Sequence, residues 1–201
     1  MSRTRIVVAC TLVASLALFV GTAWAQTPPA DTLKVDYFSN ANTTGAPDGT
    51  VRITNPGTST VGAGGLCADI FIFDAGEEQS ECCSCTTTPD GLLTLSVNSD
   101  LTSNPLNGSV LSTGVIKIVS ALTVAGKCPL PIKITPAAAL RAWVTHIQNT
   151  SFTITETASQ DATLSANEVS SLEAGCRSIA RVGSGSGVCA NSAALASICD
   201  N

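Results

Sequence analysis

Apolar residues along most of this chain recur with a period of two. Leu33, Val35 and Tyr37 alternate with Lys34, Asp36 and Phe38, and Val51 and Ile53 alternate with Arg52 and Thr54 until Asn55-Pro56-Gly57 stops the run. Such alternation predicts half-buried strands. Residues 68–73 break the pattern, because Ile70, Phe71, Ile72 and Phe73 are all apolar. That predicts a strand at the centre of the fold, covered on both faces. Pro89-Asp90-Gly91 predicts a turn, with Pro presetting φ and Gly accepting a positive φ. Leu93, Leu95 and Val97 then alternate with Thr94, Ser96 and Asn98, and Asn104-Pro105 and Asn107-Gly108 mark further turns before a strand over 115–119. The three prolines of residues 127–136 predict a connecting loop. Residues 140–147 and 152–157 are β-prone runs joined by Gln148-Asn149-Thr150-Ser151, which predicts a hairpin. Short strands separated by turn signals point to a mainly β fold, an antiparallel two-sheet β-sandwich that is Ig-like in the broad sense. No repeat period is visible.

The last part of the chain changes period. Ser165-Ala166-Asn167-Glu168 fits a capping box, in which Ser accepts from a backbone N–H and Glu reaches back. Val169, Leu172, Cys176 and Ile179 then fall on one helical stripe, and Gly183-Ser184-Gly185-Ser186-Gly187 ends the helix as a loop. Residues 189–199 are expected to add one more short helical turn. The reading is a single domain over 32–201 with a helical appendix at 165–201.

Residues 1–25 read as a signal peptide. Arg3 and Arg5 form a positive start, residues 6–20 are apolar except for Thr11 and Ser15, and Ala23-Trp24-Ala25 supplies the small residues a signal peptidase requires. The apolar run is shorter than the roughly 20 residues that span a bilayer. Cys10 is expected to leave with the signal, and residues 26–31 to form a mobile leader. The mature product is therefore expected to carry no membrane span and to be secreted or held at the cell surface, in the periplasmic or extracellular space.

Charge narrows the partners. All 15 acidic residues lie after the signal, against 8 of the 10 Lys and Arg, which gives the mature chain a net charge near −7. An acidic surface without a Lys/Arg cluster argues against nucleic acid.

Eight cysteines remain in the mature chain: Cys67, Cys82, Cys83, Cys85, Cys128, Cys176, Cys189 and Cys199. An even number at irregular spacing in an exported protein reads as a disulfide framework. Zinc or iron–sulfur ligation by the Cys82-Cys83-Ser84-Cys85 cluster is the competing reading. It is disfavoured because an exported chain crosses the membrane unfolded and folds in an oxidising compartment. Adjacent Cys82 and Cys83 are expected to diverge to different partners, since bonding each other would strain the peptide between them. Neither metal nor cofactor is expected.

The remaining chemistry is sparse. His146 is the one histidine, which excludes two-histidine zinc motifs. It shares strand parity with Leu140, Ala142 and Val144, which favours a structural role at the end of a core face. No G-x-S-x-G elbow accompanies it, and the Gly183–Gly187 run fits neither that pattern nor G-x-G-x-x-G. Asp69, Asp74, Glu77, Glu78 and Glu81 form an acidic stretch around the exit of the central strand, a candidate cation loop for Ca²⁺ set against a solvated acidic loop. No spacing singles out a carboxylate pair for glycoside hydrolysis. The six aromatic residues after the signal (Tyr37, Phe38, Phe71, Phe73, Trp143, Phe152) sit mostly in strand patterns that suit the core, which leaves a sugar-stacking platform poorly supplied. Asn42, Asn107 and Asn149 begin N-x-[ST] triplets.

The segment ECCSCTTTPDGLLTLSVNSDLTSNPLNG, together with ATLSANEVSSLEAGCRSIARVGSGSGVC near the end, resembles a group of uncharacterised exported proteins of soil bacteria. The resemblance implies bacterial export and no catalytic residues. With no nucleophile motif and one histidine, the sequence favours a secreted, non-enzymatic, disulfide-stabilised structural or interaction protein that binds a protein partner or self-associates. A secreted hydrolase and a small-ligand or metal-ion binding module are the alternatives. A pocket with convergent polar groups would favour the alternatives, and exposed apolar edge strands would favour assembly.

Overall fold

The computed structural model describes residues 31–59, 64–102, 110–181, 189–191, 196–197 and 199. The expected signal peptide, residues 26–30 of the leader, Cys10, the turns at 104–105 and 107–108, Asn107 and the Gly183–Gly187 run lie outside the described residues.

The strands are β1 (Leu33–Phe38), β2 (Thr50–Thr54), β3 (Leu66–Asp74), β4 (Gln79–Thr87), β5 (Leu92–Ser96), β6 (Gly114–Leu122), β7 (Arg141–Gln148), β8 (Thr153–Ala158) and β9 (Gln160–Ala162). A helix, α1 (Ala166–Arg181), follows, then the two-residue strands β10 (Ala190–Asn191) and β11 (Ala196–Ser197). One sheet has the order β4-β3-β6-β1-β9 and the other β5-β2-β7-β8, with all pairings antiparallel. Packed face to face, they form the expected β-sandwich. The shared core holds Val51, Ile53, Ile70, Ile72, Ile116, Leu140 and Val144, each buried.

β3 lies beside the central β6, and its first seven residues are buried in succession. Ala68, Ile70 and Ile72 enter the core between the sheets. Cys67 and Phe71 point the other way, into a second cluster with Leu164, Leu172, Cys176 and Ile134. Helix α1 supplies the cover. Its stripe docks as the spacing predicts, with Leu172 and Cys176 fully buried and Val169 and Ile179 partly so. Ser165 caps the helix by accepting from the Glu168 N–H at 3.0 Å. The reciprocal half of the capping box does not form, because Glu168 turns to the Lys117 ammonium, 2.6 Å away.

β4 was hidden in the sequence by its cysteines, and it organises the fold. Strand alternation sends neighbouring side chains to opposite faces. Cys82 therefore reaches out to Cys176 of α1, whereas Cys83 and Cys85 reach inward to Cys189 and Cys199. Cys67 of β3 bonds Cys128 in the proline-rich loop. The expected helical turn over 189–199 is replaced by the β10–β11 pair. Ten helical residues would span about 15 Å, but Cys83 and Cys85 are two strand residues apart, about 7 Å. A segment tied at both ends to those two positions has to double back.

At the β4–β5 junction the turn closes with Gly91 N–H donating to Thr88 O at 2.9 Å, and Asp90, not Gly91, takes the positive φ of 60°. Glycine is required for a different reason: a Cβ at position 91 would meet Thr88 O at 2.7 Å.

Replacing Cys82 and Cys176 together by serine should lower unfolding stability by about 2–4 kcal/mol, because the bond closes a long loop. Denaturant titration measures it, and non-reducing peptide mapping should recover the four pairs above. An unchanged midpoint would show that the helix docks without the staple.

Candidate functional site

The five acids of the candidate cation loop do not converge. Asp74, Glu77 and Glu78 sit at the exposed β3–β4 turn, where Asp74 Oδ1 accepts from the N–H groups of Gly76 (2.8 Å) and Glu78 (2.9 Å). Asp69 and Glu81 are buried within the hairpin strands. Alternation along β3 and the register with β4 set the two apart: Asp69 pairs with Ser84, and Glu81 with Ile72. Asp69 accepts a hydrogen bond from the Ser84 hydroxyl. The acidic run is thus one solvated turn and two buried carboxyls.

The cysteine cluster is likewise spent on structure. The Sγ atoms of Cys83, Cys85 and Cys199 lie within 4.8 Å of one another, but each belongs to a disulfide. Asn42 directs its amide to Thr102 Oγ1 (2.8 Å) and Leu111 O (2.9 Å), so it serves the fold, while Asn149 lies in the β7–β8 hairpin loop.

The feature that gathers unused chemistry is a cleft of about 520 Å³ on the side of the sandwich away from β4. β1 forms one wall and β7 and β8 the other, with Val115 of β6 and Gln160 of β9 at its margins. Tyr37, Gln148, Thr155 and Thr157 line it beside apolar Val35 and Ala158.

His146 sits in this wall, where the inward alternation of Leu140, Ala142 and Val144 places it, and it is buried. Its Nε2 lies 2.8 Å from Thr157 Oγ1 and 3.3 Å from Asp36 Oδ1. The adjacent carboxylate favours the tautomer with its hydrogen on Nε2. Nδ1 is buried and has no hydrogen-bond partner among the described residues. The imidazole stacks on Tyr37, centroid to centroid at 4.3 Å. Asp36 also accepts from the Tyr37 N–H (2.9 Å) and from Ser159 Oγ (2.8 Å).

An acid, an imidazole and a hydroxyl in contact invite comparison with a catalytic triad, but the geometry is wrong. A relay uses opposite ring nitrogens, one held by the acid and the other facing the nucleophile. Here Asp36 and Thr157 share Nε2. The arrangement holds the ring in place and activates nothing. Sequence reasoning placed His146 correctly at the end of a core face and did not foresee the cleft. The signal it passed over was Asp36, a carboxylate of inward parity on β1.

A buried Lys34 marks the end of β1. Its ammonium meets Asp31 at 2.6 Å and Asp161 at 2.5 Å, and Arg141 also pairs with Asp31. The Lys34 hydrogen bond holds the Asp31 carboxyl well below the usual range, against the opposing effect of its partial burial. The network joins β1, β7 and β9 beside the cleft.

Burial pushes the Glu81 carboxyl up to about 9. Burial also raises Asp69 to about 7, although the Ser84 hydrogen bond acts in the opposite direction. Both groups hold a proton in the folded protein that the unfolded chain has already released. The unfolded state then binds fewer protons, so stability falls as pH rises. The window opens near the ordinary values of 3.8 and 4.5 and closes near 7 for Asp69 and near 9 for Glu81. The protein should therefore be more stable at pH 5 than at pH 8. Glu81→Gln should raise stability at pH 8 by about 1–2 kcal/mol and flatten the dependence. Denaturant midpoints across that range give the answer, and a midpoint that rises with pH would refute the assignment.

No protein-family model, no curated protein and no solved structure matches this chain, so the geometry stands alone.

Proposed function

We propose that this is a secreted or cell-surface, non-enzymatic binding module that takes its ligand in the His146 cleft. The observation that carries the reading is the cleft itself. Its volume falls within the range of about 300–1,000 Å³ typical of ligand sites, and it combines apolar walls with a few convergent polar groups. The four disulfides support an oxidising, exported setting. So does the N-terminal segment that reads as a signal, together with the resemblance to exported proteins of soil bacteria. No helix among the described residues is long and apolar enough to cross a membrane. The shared use of Nε2 by Asp36 and Thr157 argues for recognition over hydrolysis.

A second reading, self-association through a strand edge, draws on β8. All six of its residues are exposed, Ile154 among them, and β8 ends its sheet. Exposed β-branched edges are templates for pairing.

Two substitutions separate the readings. Thr155→Trp places a large ring at the mouth of the cleft from an exposed strand position, and should weaken ligand binding at least tenfold while leaving the melting temperature nearly unchanged. Calorimetric titration reads the affinity, and unaltered affinity would exclude the cleft as the site. Ile154→Lys puts a charge on the exposed face of β8 and should convert any dimer to monomer in light scattering. A protein monomeric from the start removes the second reading.

A further inference from the structure

We infer that the ligand of the cleft is an uncharged saccharide. This deepens, and rests on, the binding-module reading above. The argument begins with which charges are present. Among the described residues no Lys or Arg lines the cleft, so a phosphate, sulfate or carboxylate ligand would find no counter-charge. The one carboxylate, Asp36, already accepts from Ser159 Oγ, the Tyr37 N–H and the His146 ring, and its side chain is only 8% exposed. It is committed to the fold and is a poor counter-ion for a ligand cation. Ionic ligands of either sign are therefore disfavoured.

What the cleft offers instead is neutral hydrogen bonding beside an aromatic face. Gln148, Gln160, Thr155 and Thr157 are all exposed and line it, and each side chain can both donate and accept. A polyhydroxylated ring needs that mixture, because every hydroxyl is itself donor and acceptor. Tyr37 adds the platform. It is 46% exposed, and its ring is held against His146 at a 30° interplanar angle, which fixes the side chain before any ligand arrives. Gln148 Nε2 donates to the Tyr37 hydroxyl at 3.3 Å and holds the far end of the ring. A sugar presents C–H groups on one face and hydroxyls at its rim. It could stack on Tyr37 and Val35 while its rim meets the amides and hydroxyls. Most of the aromatic residues are expected to suit the core, and Tyr37, on the alternating apolar positions of β1, is instead exposed.

The test is a titration of the full mature protein with cellobiose, maltose and N,N′-diacetylchitobiose, with tetramethylammonium and inorganic phosphate alongside. Chemical shifts of Tyr37, His146 and the β8 amides provide the readout. At least one neutral disaccharide should bind with a dissociation constant of about 1 mM or tighter, shifting those resonances. Tyr37→Ala should weaken it by about tenfold, as loss of an aromatic contact does. Gln148→Ala, at an exposed position, should weaken it several-fold, so the claim does not hang on whether the Tyr37 variant folds. Binding of tetramethylammonium or phosphate in the cleft without any disaccharide would overturn the ligand class and leave the binding module standing. Saccharide binding untouched by either variant would overturn the site. If no probe gives shifts that Thr155→Trp abolishes, both readings fall.

Discussion

The alternation of side chains along β4 is the constraint on which the rest of this structure depends. Because Cys82 and Cys83 are neighbours on a strand, they face opposite ways, and Cys85 repeats the direction of Cys83. Three residues in sequence therefore fasten two different layers to one edge strand. The helix is bolted to the outer face, and the β10–β11 segment to the inner one, beside the π-helical turn at Val97–Leu101. An edge strand is ordinarily a hazard, since its unpaired backbone invites other chains. Here residues 81–85 are buried in unbroken succession, although β4 ends its sheet. The appendix is the device that makes an edge behave as an interior.

Sealing one side of the sandwich leaves the cleft on the other side open. With β4 closed covalently, the gap between β1 and the β7–β8 hairpin is where side chains of inward parity can meet without filling a core. Asp36 and His146 do so, and the hydrogen bonds around them fix the imidazole, the carboxylate and Tyr37 in one arrangement. Close by, the Lys34–Asp31–Asp161 network ties β1 to β9, and Arg141 brings in β7. Such partly buried pairs are weak evidence for stability, since desolvation offsets much of their attraction. Their geometric effect is clearer: they hold three strands at fixed spacing beside the cleft.

Much of the fold was legible because period-two patterns report burial directly. β2, β5 and β7 follow their alternation, and the apolar run in β3 marks a strand covered on both faces, whereas β1 buries Lys34 and Phe38 and exposes Tyr37, and β8 is exposed throughout. β4 escaped because both of its faces are buried and one residue type lines them, so no alternation remained to be read. β9 escaped because three residues are too short to show a period. The acidic stretch misled for a related reason. Proximity in sequence does not bring the carboxylates together, because strand geometry buries Asp69 and Glu81 and leaves Asp74, Glu77 and Glu78 at the turn. The cleft was illegible because it joins Asp36 to His146, which are far apart in the chain and lie in different sheets.

Ser159 shows how that distant pair is brought into register. It stands between β8, in one sheet, and β9, in the other, so the chain changes sheets at this residue. Its backbone N–H donates to Ala142 O of β7 at 2.9 Å, and its hydroxyl donates to Asp36 of β1 at 2.8 Å. One residue thus touches both walls. β8 runs antiparallel to β7, which puts Thr157 beside His146, and the crossover then carries Gln160 to the edge of the opposite sheet. The cleft is the space that opens where a strand leaves one sheet before it pairs in the next. Thr155 and Gln148 line the cleft from exposed positions outside the buried core, so the sandwich that frames it does not depend on them.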